Sequence, residues 1–321
     1  MQSKNGIRAG LCAAVMTLLS ACAPGSYAVK NPAPSNLAFA TPAPQTAISV
    51  VDQRAGSERV FFSGVLASTL TVDGTPIDAP AYLSRNLQAE LASRGVPAQV
   101  SAGEGAFPRM DLKSFRMQNY RATGFSPFVS FTFLSVDLET AAGKQRLGVF
   151  IKRGKVPVWS FDEVIEPTLN QPLSLAVKEL AAKVAGRLYG ARSSDGEVER
   201  LAAKLKSRND DSYLDVYALG FTNNEMAVST LVDLTRDADE YVRIAAISSL
   251  GIVGAKDQLD LLKTIYRDAG IWQDRAMALK SIGDLDTPES KAFLAQQLAD
   301  LQAKGTDKDA AWSIQVIGLY M

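Results

Sequence analysis

The last third of the chain repeats itself, and the repeat limits what it can fold into. Four short segments end alike, at Leu219-Gly220, Leu250-Gly251, Ile282-Gly283 and Ile317-Gly318, spaced 31, 32 and 35 residues apart. Beyond Gly190 the composition becomes rich in Ala, Leu and Asp, and strand alternation stops. Near-constant spacing of this kind predicts stacked helical hairpins, none of which can bury its apolar face alone. The outer helices are expected at 196–208, 224–235, 257–266 and 288–301. The inner ones are expected at 211–219, 240–252, 272–282 and 308–319. Thr222 with Glu225 has capping-box spacing, and Thr287 before Pro288 marks another helix start.

In the second period, Asp237-Ala238-Asp239-Glu240-Tyr241-Val242-Arg243 followed by Ala246 and Leu250-Gly251 closely resembles a HEAT repeat. The next copy keeps Asp268, Arg275, Ala278 and Ile282-Gly283 but has Asp274 in place of the valine. The first copy has Ser212, and the last Ala310, where the arginine would stand. Degenerate end repeats suit the caps of a stack. The resemblance implies a concave surface of inner helices that binds proteins or peptides. Arg243 and Arg275 are expected to bond the preceding turn aspartates as a ladder. The candidate partner-binding residues are Tyr213, Tyr217, Tyr241, Arg243, Trp272 and Arg275. The aromatic members, with Trp312, fit core packing as well; where exposed, they would be the favoured hot spots.

Residues 46–190 read differently. A first strand at 46–52 carries Ile48, Val50 and Val51, and the stretch 59–72 meets the turn dipeptide Asp73-Gly74, which suggests a hairpin. A helix follows, with Asp78 to cap it, Pro80 in its first turn and Gly95 to stop it. Strands are expected at 108–120, 128–138, 147–151 and 156–161, and a last helix from about Pro172. Phe131 and Phe133 alternate with Leu134, Val136 and Leu138 across the second of these. The predicted class is α+β: an antiparallel sheet with two helices on one face, followed by an all-α HEAT-like solenoid of about four helical hairpins.

The amino-terminal end carries its own signal. Lys4 and Arg8 precede an apolar run from Ala9 to Leu19, broken only by Thr17 and too short for a permanent span. The following Leu19-Ser20-Ala21-Cys22 resembles a bacterial lipobox. That resemblance implies cleavage before Cys22, acylation of that residue and a periplasmic location, and Ala23 points to the outer membrane. Residues 22–45, with five prolines, read as a disordered tether. Together the lipobox, the strand ending Val51-Asp52-Gln53-Arg54, the helix with Leu87, Leu91 and Gly95, and the helix at 172–189 resemble the small envelope lipoproteins of the YajG and LptE type, which include ABC-transport auxiliary lipoproteins. This implies a binding or assembly role with no catalytic residues. Asp52 and Arg54 suit a local turn bond or a partner contact. The expected organisation is a signal peptide at 1–21, a tether at 22–45, an α+β domain at 46–190 and a HEAT domain at 191–321.

Composition narrows the chemistry. There is no His, and the only cysteines are Cys12, which would leave with the signal, and Cys22, which would be acylated. Imidazole- and thiol-based catalysis and zinc sites built on Cys or His are thereby excluded. Removing Lys4 and Arg8 leaves 32 basic against 34 acidic residues, with no electrostatic footprint for nucleic acid. No cofactor or metal is expected, and the expected partners are other envelope proteins and, through Cys22, the membrane. The alternative is a carboxylate-based carbohydrate-active enzyme or a peptidoglycan- or glycan-binding lipoprotein. For the enzyme, Asp162, Glu163 and Glu166 beside Trp159 and Phe161 are the candidate acids.

Overall fold

The computed structural model describes residues 25–41, 44–66, 68–157, 160 and 162–321. The signal sequence, Cys22, Trp159 and Phe161 lie outside them. In chain order come strands β1 (Ser26–Ala28), β2 (Thr46–Asp52), β3 (Phe62–Gly64), β4 (Thr69–Val72) and β5 (Thr75–Pro76). Helix α1 (Ala79–Ser93) precedes β6 (Ala98–Ala102), β7 (Arg109–Tyr120), β8 (Phe128–Thr140) and β9 (Gly143–Lys155), and α2 (Gln171–Tyr189) closes this part. Asp78 caps α1 by accepting from the Ala81 amide at 2.9 Å. Gly190, in the left-handed region at φ 61°, ends α2. The β4–β5 hairpin turns on Asp73 and Gly74, whose φ angles of 51° and 78° suit a turn of the primed type.

The main sheet has the order β6-β2-β7-β8-β9, with β3 also paired to β7. It is mixed, where a mainly antiparallel sheet was expected. β2 runs parallel to both β6 and β7, and β3 runs parallel to β7. Only β7, β8 and β9 form an antiparallel meander. The cause is connectivity: α1 carries the chain back along the sheet between β2 and β6, which enforces parallel pairing, whereas a tight turn joins β8 to β9.

The carboxyl-terminal part folds as α3 (Asp195–Lys204), α4 (Ser212–Gly220), α5 (Ala227–Leu234), α6 (Glu240–Ile252), α7 (Leu259–Asp268), α8 (Trp272–Leu285), α9 (Pro288–Gln302) and α10 (Lys308–Ile317). These pair as four hairpins, and the inner members α4, α6, α8 and α10 stack on one another. The recurring glycine has a packing cause. A Cβ on Gly251 would stand 2.7 Å from the Ser281 Cα, and one on Gly283 would stand 2.5 Å from the Tyr320 ring. Each inner helix therefore approaches the next across a glycine, with a small residue or a ring seated on it.

The tether reading of 22–45 is corrected over its described residues. Residues 25–41 form a strap bonded to the body. β1 pairs with β4, the Ser35 amide and hydroxyl donate to Glu90 at 2.8 and 2.6 Å, and the Ala40 amide donates to the Arg192 carbonyl. Val29, Leu37 and Phe39 are buried, and Phe39 lies under the Arg94 guanidinium. Three spaced apolar anchors and backbone bonds hold a segment whose prolines alone suggest a free coil.

Both faces of the sheet are covered. Phe115 turns one face to Tyr82 of α1, and α2 packs along β8 and β9. Phe131, Phe133 and Phe150 share the other face, where Trp272 of α8 meets Phe131 and Phe150 and Trp312 of α10 meets Phe131, at ring separations of 4.9 to 6.3 Å. The Arg116 guanidinium donates to Gln315 of α10 at 2.9 Å. The inner side of the helical array is thus filled by the chain's own sheet.

Candidate functional site

Where the array leaves the sheet, an aromatic groove of about 630 Å³ remains open, lined by Tyr120, Phe131, Lys152, Tyr241, Trp272 and Trp312 among others. Its floor is the end of β7–β9 and its wall the amino-terminal turns of α6, α8 and α10. Trp312 packs on Trp272 at 5.0 Å and edge-on to Tyr120 at 5.5 Å. The Trp272 indole N–H donates to the Asp309 carbonyl and the Ser313 hydroxyl, both at 2.9 Å, which fixes the ring. Lys308 stands 3.5 Å over Tyr120. Lys152 pairs with Glu240, and the Tyr241 hydroxyl bonds both the amide and the carbonyl of Gly154 at 3.0 and 2.9 Å. Arg153 sits 3.9 Å from the Tyr213 ring and 3.8 Å from the Tyr241 ring. Cations over aromatic faces in a partly dehydrated groove suit an extended ligand that offers carbonyls, hydroxyls or negative charge.

The structure divides the six candidate contacts. Tyr213 and Tyr217 are buried, Tyr213 donating its hydroxyl to Gln171, so neither offers a surface. Burial pushes both phenols well above their ordinary pKa. They are withdrawn as partner contacts because α4 packs them inside the protein. Tyr241 and Trp272 line the groove, although Trp272 is itself largely buried. Arg243 and Arg275 form the rungs of a ladder that runs to the following repeat. Arg243 donates to the Asp237 carbonyl at 2.7 Å and to Asp274 at 2.7 Å. Arg275 reaches the Ala269 carbonyl at 2.9 Å and Asp309 at 3.5 Å. The turn aspartate side chains expected as partners are replaced by turn carbonyls and by the next inner helix's carboxylate. This gives Asp274 its purpose at a position where the resembled repeat has valine. Tyr120, Lys152 and Phe131 are not among the candidate contacts, since a strand pattern tells which residues share a face but not what covers it.

Asp52 and Arg54 form the local bond, with Arg54 Nε donating at 2.8 Å and its amide at 3.1 Å, and the Arg54 side chain holds the Asp52 carboxyl below its ordinary pKa. Of the candidate acids, Asp162 is exposed and Glu166 pairs with Lys30 at 3.2 Å and accepts from Asn170 at 2.8 Å. Glu163 accepts from the Ser160 amide at 3.3 Å. Glu166 is thus engaged in holding the strap.

A second cluster is structural. Glu179 and Lys183 of α2 meet Lys280 and Asp284 of α8 in a buried square of alternating charge. Lys183 reaches Glu179 and Asp284 at 2.6 Å each, and Lys280 reaches them at 2.6 and 2.8 Å. Lys183 also donates to the Gly148 carbonyl of β9, Lys280 to the Ser248 hydroxyl at 2.9 Å, and Tyr320 to Asp284 at 2.8 Å. Burial favours the neutral Asp284, but the two lysines outweigh it and hold the carboxyl below its usual range. Burial also opposes charge on Lys280, and Asp284 and Glu179 overcome it, raising the amine. For Lys183 burial prevails, reinforced by repulsion from Lys280, and the amine is lowered. The square clamps sheet, α2 and array together. Among the described residues no three potential ligands gather as a metal site, and no helix is long and apolar enough to cross a membrane.

No curated protein matches the sequence. Residues 191–276, in the carboxyl-terminal helical part, match the family model for HEAT repeats.

Proposed function

We propose that the chain is a lipid-anchored, non-catalytic binding protein of the bacterial envelope, held at the outer membrane through Cys22 and facing the periplasm. Its amino-terminal part would be of the YajG and LptE kind, and its role that of an assembly component in a transport or biogenesis machine. HEAT repeats commonly mediate protein contacts through a concave face. Here that face is occupied by the sheet, so the binding surface is the groove left at its mouth. The observation that carries the reading is the set of Tyr120, Tyr241, Trp272 and Trp312 around an opening of about 630 Å³, flanked by Lys155 and Lys308. An extended segment of a partner protein fits such a groove, since rigid aromatic anchors contribute most at interface centres.

A photo-reactive amino acid at Trp312 tests this in intact cells. The reading expects discrete crosslinked partners, lost when Tyr241 is also replaced by Ala. Smears or no adducts, with protein levels unchanged, would contradict it. The same cluster of rings favours a second reading, a glycan strand lying on Tyr120 and Trp312. Retention of the protein on purified sacculi, abolished by Trp312→Ala, would select that one.

A further inference from the structure

We infer that one end of the main sheet, the corner carrying Gly25, Val60, Val65 and Phe125, lies against the lipid surface; this rests on the proposed acylation of Cys22. The Gly25 carbonyl accepts from the Thr69 amide at 3.2 Å and from the Ser68 hydroxyl, which fixes it at the start of β4. Only three Cα–Cα steps separate Gly25 from Cys22, a reach of at most about 11 Å at 3.8 Å per step. An acylated Cys22 therefore keeps this corner at the headgroups, and the ordered strap beyond Gly25 removes the slack that a 24-residue tether would have had.

The surface at that corner has the matching chemistry. Residues 60–72 contain no charged side chain, in a chain of which 21% is charged. Val60 and Val65 are 52% and 53% exposed, and Val60 borders the same crevice as Ser68 and Thr69. Asn119 of β7 binds the loop after β3 by accepting from the Leu66 amide at 2.8 Å. One residue further on, β7 ends, and its loop carries Phe125, 95% exposed. Val156, 44% exposed, follows β9 at this same end, where Phe128 pairs with Lys155. The opposite end of these strands is built from ion pairs among Arg109, Asp111, Asp137, Glu139, Lys144 and Arg146. Charges desolvate at high cost, whereas valine and phenylalanine gain by entering the headgroup–acyl boundary, so the two ends of the sheet are not interchangeable toward a bilayer. Lys155 and Lys308, at the rim of the groove, add attraction to anionic lipid. The groove then opens close to the membrane, within reach of partners anchored in it.

The acylated chain has no other thiol, so a single introduced cysteine reports its own surroundings. Val65→Cys, Phe125→Cys and Ala142→Cys, the last on the β8–β9 turn at the opposite end, are made in the full chain, checked for palmitate incorporation and labelled with a polarity-sensitive fluorophore. They are then reconstituted into vesicles of phosphatidylethanolamine and phosphatidylglycerol. The inference expects blue-shifted emission, several-fold brighter and quenched by lipid-borne nitroxide, at 65 and 125 but not at 142. Palmitoylated protein whose probes at 65 and 125 behave like that at 142 overturns this inference and leaves the lipoprotein reading standing. Absence of palmitate from the parent chain overturns both.

Discussion

Replacing Lys280 with Met tests whether the buried square holds the two parts together. Lys280 is fully buried and bonds Glu179 at 2.6 Å, Asp284 at 2.8 Å and the Ser248 hydroxyl at 2.9 Å. Its loss leaves two buried carboxylates facing a single amine, Lys183. Removing one partner from a buried ion pair typically costs about 3–5 kcal/mol, because the remaining charge has neither water nor a counter-ion. Set against a total stability of about 5–15 kcal/mol, this is a large share. A companion change restores neutrality: with Glu179→Gln added, Lys183 and Asp284 remain as one pair. The double variant should recover at least about 1 kcal/mol, since residues in one network couple by up to roughly 3 kcal/mol. Urea unfolding followed by circular dichroism reads both, provided the slope is unchanged. A Lys280→Met variant within about 1 kcal/mol of the parent would refute the reasoning, because the desolvated charge would then have found water.

Further outcomes follow from named contacts. Gly251→Ala should destabilise by about 1–3 kcal/mol in urea unfolding, since its Cβ would stand 2.7 Å from the Ser281 Cα. Gly318→Ala, whose nearest neighbours are 3.4 Å away, should fall within about 0.5 kcal/mol of the parent. Deleting residues 25–41 should lower stability by at least about 3 kcal/mol by unburying Val29, Leu37 and Phe39, whereas a free tether would cost nothing. Stability should also fall on the acid side. Asp284 and Glu90 have carboxyls held below their ordinary values of 3.8 and 4.5, so the unfolded chain binds more protons there. The stability they contribute is fully present above the ordinary values and is lost as pH falls through the lowered ones. A thermal-melt series from pH 7 to about pH 3 should show a plateau followed by a decline, and Glu90→Gln should make the decline shallower.

What the sequence disclosed depended on whether the physics was local. The Leu-Gly and Ile-Gly recurrence marks close helix approach, and the inner helices follow it, with α6 at Glu240–Ile252. Asp78 and Gly95 punctuate α1 through their own backbone geometry. The docking of array on sheet was not legible, because Trp272 and Phe131 are each apolar and nothing in the chain states that they meet. Glu179–Lys183 and Lys280–Asp284 look like solvated pairs one helical turn apart. Only tertiary packing turns both onto the same buried point. The strap misled for a similar reason: Leu37 and Phe39 lack periodicity, and the groups that bind it, Glu90, Asn170 and Arg192, are distant in sequence. The aromatic groove was half legible, through Tyr241 and Trp272, whereas its floor belongs to strands whose partners the pattern does not name.

The central claim is that the helical array is folded back on the sheet, with the aromatic groove open at one end of that contact. Small-angle X-ray scattering of the soluble chain lacking the signal and Cys22 addresses it directly. A compact body of roughly 300 residues should have a radius of gyration of about 19–20 Å, with a single-peaked distance distribution. A value larger by several ångströms with a two-lobed distribution would show the array standing away from the sheet, and would contradict the account.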